Sequence, residues 1–471
     1  MSAARIVAAL AAALVLAAAA RAQTNASIAE RLRLIEQQGR DNGEVPAYLQ
    51  LPVAPGRPFD WGGWVTAADL LFHGENHNST PSNTTSILLE DARLWFSGDL
   101  SDRIQYYVRV RYQDYDVNTN PGATRPNLKQ QEGIQLDQAF VDYKISKNVE
   151  ARVGRQFMKV GRGLSLAADL DGATVDYVSP QWTHRALVGR SLDRDPGVDT
   201  SVTGYDQGTA RHDFVGGESR LRTPSGRQFY LYALVEHDES HSLDPAQNAQ
   251  NFAYDAHYFG FGTEGRLDPM LNYFLEVVAE GGTTLQGVAP FLRVPISSYA
   301  STSGLQWFPP WFWRPQASLE LSYGSGNRFR TSVTNTFGGG NAIPVVDTNF
   351  LYFGAYDGGL ALSPRLSNLI VARLGYQVKP LPADQELLPE LVVGATASHY
   401  WKDEKDGAIS DTLATQSEYD VGSAVDLYVG TRPLSDFSAL VQYGRFSPGS
   451  AYPVDQRAEN HRVFVTATQS F

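Results

Sequence analysis

The sequence predicts an all-β protein, a transmembrane antiparallel β-barrel of about eighteen strands that follows a short helical or extended N-terminal segment. The two ends of the chain support this prediction. Residues 1–22 resemble a secretory leader, with Arg5 before an apolar run and an Ala-Arg-Ala cleavage motif at 20–22. The last strand, 463–471, alternates in polarity and ends on Phe471. A secreted chain with such a final strand is typical of bacterial outer-membrane barrels, so we expect an outer-membrane location.

A third observation is the repetition of alternating strands through the rest of the chain. In the clearest, 103–114, Arg and Gln alternate with Ile, Val and Tyr, as expected for a strand with lipid on one face and water on the other. An even number of strands places both termini in the periplasm. The predicted strands lie near 61–73, 87–98, 103–114, 134–146, 149–158, 172–179, 183–191, 212–223, 227–237, 254–266, 271–281, 286–297, 316–324, 367–378, 389–401, 418–431, 436–446 and 459–471.

The chain thus divides into a signal peptide at 1–22, a periplasmic segment at 23–58 and the barrel at 59–471. Within the second part, 25–42 has near-helical spacing of apolar residues. This stretch is interpreted as a tail packed near the barrel mouth, with an oligomerisation or partner helix, or disorder, as alternatives. The longest predicted loop is 325–366, which is a candidate plug for the lumen. Its apolar part, 350–362, has a strand as its alternative interpretation.

Composition limits the chemistry of the protein. The chain has no Cys, so it has no disulfide, no thiolate metal site and no covalent haem attachment of its own, and we expect no cofactor. Its 23 Tyr, 22 Phe and 42 Gly fit a β-rich chain with aromatic girdles. Loss of Arg5 and Arg21 with the leader takes the formal net charge from −12 to −14, which argues against nucleic-acid binding. No Ser-His-Asp arrangement or metal motif indicates an enzyme.

Arginine is the residue type that points to a function. Predicted strand alternation directs several Arg side chains into the lumen, where guanidinium groups would concentrate anions and bind carboxylate or phosphate. The alternative is that they pair with lumen acids, such as Asp91, Asp142, Glu150, Glu276, Glu280 and Asp426, and only stiffen the wall. The candidate pore-lining residues are Arg93, Arg103, Arg109, Arg111, Arg152, Arg155 and Arg293.

Two further segments carry unusual composition. The glycine-rich stretch 154–163 lacks the ending of a nucleotide-binding loop, and its glycines favour a loop folded close to the barrel wall. The aromatic stretch 307–315 is predicted to be a periplasmic turn. An interfacial girdle is its simplest interpretation, and sugar stacking at the pore entrance is the alternative.

Several short motifs resemble the alginate-export family of outer-membrane porins. They are 420–427, 442–449 and the final strand, together with 323–327, 352–357, 154–156 and 171–173. The resemblance implies an eighteen-stranded monomeric barrel whose lumen passes an anionic polysaccharide through an arginine-rich constriction. It also implies contact with outer-membrane lipid and with periplasmic export partners.

A second resemblance competes with the first. The segments 92–100, 137–143 and 153–155 are similar to phosphate-selective porins, which are trimers with an N-terminal helical segment. The alternatives to polysaccharide export are therefore a phosphate- or anion-selective diffusion porin and a scaffold barrel for another chain. A monomer is favoured over a trimer.

Overall fold

A computed structural model of the protein describes most of the predicted barrel. The predicted signal peptide and the segment 23–58, with its helix-like stretch, lie outside the described residues. The described residues are 59–74, 77, 84–119, 134–192, 208–209, 211–239, 241–242, 254–286, 292–330, 333, 341–381 and 390–471.

Eighteen antiparallel strands form one sheet. They are numbered here in chain order, and a pair of two-residue strands in the loops, Gly208–Thr209 and His241–Ser242, lies outside the numbering. The strands are β1 Asp60–His73, β2 Thr84–Ser101, β3 Ile104–Thr119, β4 Ile134–Lys144, β5 Val149–Lys159, β6 Ala167–Val178, β7 Trp182–Ser191, β8 His212–Arg222, β9 Gln228–Asp238, β10 Asp255–Asp268, β11 Leu271–Leu285, β12 Arg293–Trp307, β13 Gln316–Gly324, β14 Leu369–Val378, β15 Val392–Trp401, β16 Asp420–Leu434, β17 Phe437–Pro448 and β18 Asn460–Ser470.

The sheet closes on itself because β1 pairs with both β2 and β18. At the seam, Gly63 and Phe471 exchange two backbone hydrogen bonds, of 3.1 and 3.0 Å. The closed antiparallel barrel of eighteen strands confirms the fold class predicted from the sequence. The end with the shortest turns, 102–103, 269–270 and 435–436, also carries both ends of the barrel and is periplasmic by the general rule for such barrels.

Four strand predictions need correction. β3 extends to 119 rather than 114, β6 begins at 167 rather than 172, β11 extends to 285 rather than 281, and β12 spans 293–307 rather than 286–297. The second half of β12 is rich in Ser, Thr and Gly, so its alternation of polarity is weak. The segment 350–362 is not a strand, and it lies buried inside the barrel.

The faces of the wall have the polarity of a membrane barrel. On β9 the side chains of Leu231 and Val235 point outward and are 61% and 55% exposed, whereas Tyr232 and Leu234 point inward and are buried. The apolar outer face is where lipid would contact the wall. No helix among the described residues is long and apolar enough to cross a membrane.

Two connections fold into the barrel and fill the half of the lumen nearest the long loops. They are 160–166, between β5 and β6, and the described part of 325–368, between β13 and β14. Leu166 and Phe353 form an isolated bridge between the two segments. Their apolar side chains join inward residues of the wall in the main hydrophobic cluster of the molecule. The glycine-rich stretch ends inside the barrel against the wall, as its composition predicted.

Candidate functional site in the lumen

A cavity of about 1650 Å³ occupies the periplasmic half of the lumen. Its wall is formed by inward side chains of most strands and by part of the inward segment 355–363. Among the described residues, nine basic and eight acidic side chains line it. The net charge of the wall is therefore close to zero, and any preference for anions has to come from the local arrangement of these groups.

The most concentrated positive charge is a cluster of three arginines on β2 and β3. Arg93 Nη2 lies 2.8 Å from Asp91 Oδ2, and Arg111 Nη2 lies 2.6 Å from the same oxygen. Arg109 pairs with Asp137, whose Oδ2 is also 3.4 Å from Arg93 Nη1. In this cluster three guanidinium groups thus share two carboxylates.

A β-bulge and an aromatic ring build this cluster. β4 has one extra residue opposite Arg109 and Val110 of β3, and Asp137 is that residue. The bulge turns the Asp137 carboxylate toward the arginines, although simple alternation would direct it elsewhere. The guanidinium carbons of Arg93 and Arg109 each lie 5.5 Å from the centre of the Trp64 ring, which is a cation–π distance.

Arg152 on β5 is, after Arg93 and Arg109, the third predicted residue that lines the cavity. It makes a bidentate pair with Asp142, at 2.6 and 2.9 Å, and its guanidinium carbon lies 4.0 Å from the centre of the Phe140 ring. Its side chain is 38% exposed, against 8% for Arg93 and 7% for Arg109. Arg152 is thus the most accessible of these three guanidinium groups to a solute.

The other three predicted residues lie elsewhere. Arg103 is exposed in the turn between β2 and β3, beyond the end of either strand. Arg155 faces the outer side of β5 and pairs with Asp171 at 2.8 Å. Arg293 faces the outer side of β12, where it pairs with Asp255 at 2.9 Å.

The outward direction of Arg155 and Arg293 corrects the prediction and has a physical cause. Both lie near the extracellular end, where the lumen contains the inward segments rather than water. The inner face of the wall is apolar at that height, as shown by the buried side chains of Met158, Val294 and Ile296. Alternation then places the arginines outside, so the expected pattern of polarity is inverted there.

Three of the predicted lumen acids bind backbone amides of the inward segments rather than arginine. Glu276 accepts a hydrogen bond from the backbone amide of Arg162, at 2.6 Å. Glu280 accepts one from the amide of Leu351, at 3.1 Å. Asp426 accepts two hydrogen bonds, from the backbone amides of Leu360 and Ala361. These carboxylates hold the inward segments, of which the sequence contained two signs, the glycine-rich stretch 154–163 and the apolar run 350–362.

Three long loops at the extracellular end are joined by hydrogen bonds to one carboxylate, that of Asp411. His77, which follows β1, lies 3.2 Å from Asp411 of the β15–β16 loop, and Tyr452 of the β17–β18 loop donates to the same carboxylate at 3.0 Å. Burial by itself raises the pKa of Asp411, but the hydrogen bond and charge of His77 outweigh it and leave the pKa below its usual value. Three loops are thus linked through one carboxylate.

Comparison with known proteins agrees with this geometry. The family described as alginate export matches residues 73–466. Three solved Pseudomonas aeruginosa proteins share the fold: OccK8 (OprE), with TM-score 0.53 and 10% identity; OpdK, solved with vanillate, with 0.51 and 10%; and OccK7 (OpdD), with 0.51 and 11%. Each alignment covers 88% of this chain and 98% of the other. At this identity the likeness supports the barrel fold alone. No curated protein sequence matches the chain.

Proposed function

Since this chain belongs to the alginate-export family and is a channel-type barrel of the bacterial outer membrane, we propose that its lumen passes an acidic oligosaccharide or polysaccharide. Its family and fold are those of channels rather than enzymes. The observation that carries the proposal is the cluster of Arg93, Arg109 and Arg111, in which three guanidinium groups share two carboxylates beside an indole ring.

The chemistry of the cluster suits a uronate chain. A guanidinium group binds a carboxylate with two parallel hydrogen bonds, and a passing sugar acid can replace Asp91 or Asp137 as that partner. Because the protein carboxylates already neutralise most of the charge, binding is weak enough for release, as conduction requires. The rings of Trp64, Phe140 and Tyr106 also line the cavity and offer faces on which sugar rings can stack.

The experiment is to measure ion selectivity of the refolded protein in planar bilayers across a potassium chloride gradient. In a water-like lumen, one unit charge about 8 Å from a passing ion contributes about 0.5 kcal/mol, or about twofold in permeability. Each lost charge raises the energy of a passing anion and lowers that of a cation, so the double variant Arg93→Gln/Arg109→Gln should lower the anion-to-cation permeability ratio about 30-fold. Arg155→Gln is the matched control, because it removes an ion-paired arginine from the outer wall and should leave the ratio unchanged.

Titration with blockers then tests the solute class. A short oligouronate should reduce the single-channel current of the wild-type protein and have less effect on the double variant. Stronger block by inorganic phosphate than by the oligouronate would favour a small-anion diffusion porin instead. A wild-type channel that prefers cations would contradict the proposed role of the cluster.

A further inference from the structure

A second cavity, of about 560 Å³, opens inside the periplasmic mouth between the ends of β8 and β12. It is lined by Arg222 of β8 and Arg266 of β10, and the amide side chains of Gln228, Asn272 and Gln306 complete its polar wall. The ring of Phe274 forms an apolar side. A cavity of this volume is within the range of small-molecule sites in proteins.

Of the three arginines that line this cavity, Arg162 pairs with Glu264, whereas Arg222 and Arg266 differ from the lumen cluster in having no acid partner among the described residues. Within the described residues, no carboxylate lies within 4.0 Å of the guanidinium groups of Arg222 or Arg266, whereas Arg93, Arg109, Arg111 and Arg152 are all in ion pairs.

The acid that lines the cavity is already neutralised. Glu264 is bound by Arg162 at 3.0 Å and by Arg220 at 2.8 Å. Among the described residues the charges of Arg222 and Arg266 are therefore uncompensated, and a bound anion would meet net positive charge together with amide donors.

Two arginines at the opposite end of the barrel are paired with acids. Arg190 pairs with Asp213 and Glu239, and Arg445 with Glu459.

We propose that the cavity of Arg222 and Arg266 is a capture site for the carboxylate groups of an acidic sugar chain that enters from the periplasm. The proposal rests on the proposed function and adds to it the entry site and the direction of loading. The two guanidinium groups bind carboxylate, Gln228, Asn272 and Gln306 hydrogen-bond hydroxyl groups, and Phe274 contacts the ring. Unpaired charge at a narrow mouth raises the local concentration of an anion and the rate at which it enters.

The experiment is side-resolved block of single channels by a short oligouronate at about 0.1 M salt, where charges act over about 10 Å. The full-length chain has no Cys, so Val454→Cys, in the exposed 3₁₀ turn Val454–Gln456 of a long loop, reports orientation through a biotin label. The variant Arg222→Gln/Arg266→Gln should lower the association rate of the blocker about tenfold from the periplasmic side and leave the other side unchanged.

Two further variants make the test specific. Arg222→Lys/Arg266→Lys keeps the charge and should retain most of the block. Arg103→Gln removes another periplasmic arginine with no carboxylate partner among the described residues, but one in the turn between β2 and β3, five strands away from β8, and should change nothing.

The outcomes separate this proposal from the proposed function. An unchanged association rate in Arg222→Gln/Arg266→Gln, or an equal loss in Arg103→Gln, would overturn the capture site while anion selectivity of the lumen could still be measured. A wild-type channel with neither anion preference nor block from either side would overturn both.

Discussion

Asp426 of β16 is one of the wall residues that hold the inward segment 350–363 in the lumen. Its two carboxylate oxygens accept hydrogen bonds from the backbone amides of Leu360 and Ala361, at 3.1 and 3.0 Å. Hydrogen bonds to charged groups contribute about 1.5–3 kcal/mol each. Asp426→Ala should therefore destabilise the inward position by about 3 kcal/mol at the low end, which is about a 100-fold increase in the population of the released segment.

Single-channel recording measures that population. Because the inward segment lines the cavity, its release should widen the lumen, and the Asp426→Ala channel should visit a larger conductance state far more often than wild type. Asp142→Ala is the control, since it also removes a lumen carboxylate but one that pairs with Arg152 rather than with the segment. Equal dwell times in wild type and Asp426→Ala, or an equal change in the control, would refute the reasoning.

Two other substitutions test the fold. Leu231→Arg, on the lipid face, should lower the free energy of unfolding in vesicles by about 2–4 kcal/mol. Ser318→Arg, in the lumen, should lower it much less. Equal decreases would mean that the lipid and lumen faces are exchanged. Gly354→Val should expel the inward segment, because a Cβ at Gly354 would lie 1.8 Å from the carbonyl oxygen of Leu164. Trypsin should then cleave at Arg365, which is 5% exposed in the native barrel, and resistance to cleavage would contradict the packing.

Most of the barrel could be predicted because lipid and water impose alternation on each strand. The strand 103–114 shows this pattern strongly, and β3 begins where it was expected but continues to 119. The aromatic stretch 307–315 contains the predicted turn between β12 and β13, and Phe312 there is 75% exposed. β12 itself was misplaced, since small polar residues at 298–304 give a strand without a strong apolar face.

The site was less predictable because side-chain direction depends on what fills the lumen. Arg93 and Arg152 face the cavity where the lumen is open, and simple alternation places them there. Arg155 and Arg293 face outward because inward segments, rather than water, adjoin their strands. The position of Asp137 depends on a bulge, which no local pattern in the sequence indicates.

The distribution of charge partners separates structural groups from groups available to a solute. A charge in a narrow, partly dry lumen is costly when unpaired, so the predicted arginines that face the lumen are paired with acids, and several lumen acids are bound to backbone amides. A passing anion can bind such an arginine only by replacing part of the contact between the arginine and its acid partner. Arg222 and Arg266 lie at the water-filled periplasmic mouth, where a charged guanidinium group stays hydrated. They therefore need no acid partner, and none contacts them among the described residues. We therefore expect substitutions at the mouth to change the rate of entry, and substitutions of Arg93 or Arg109 to change which ions pass.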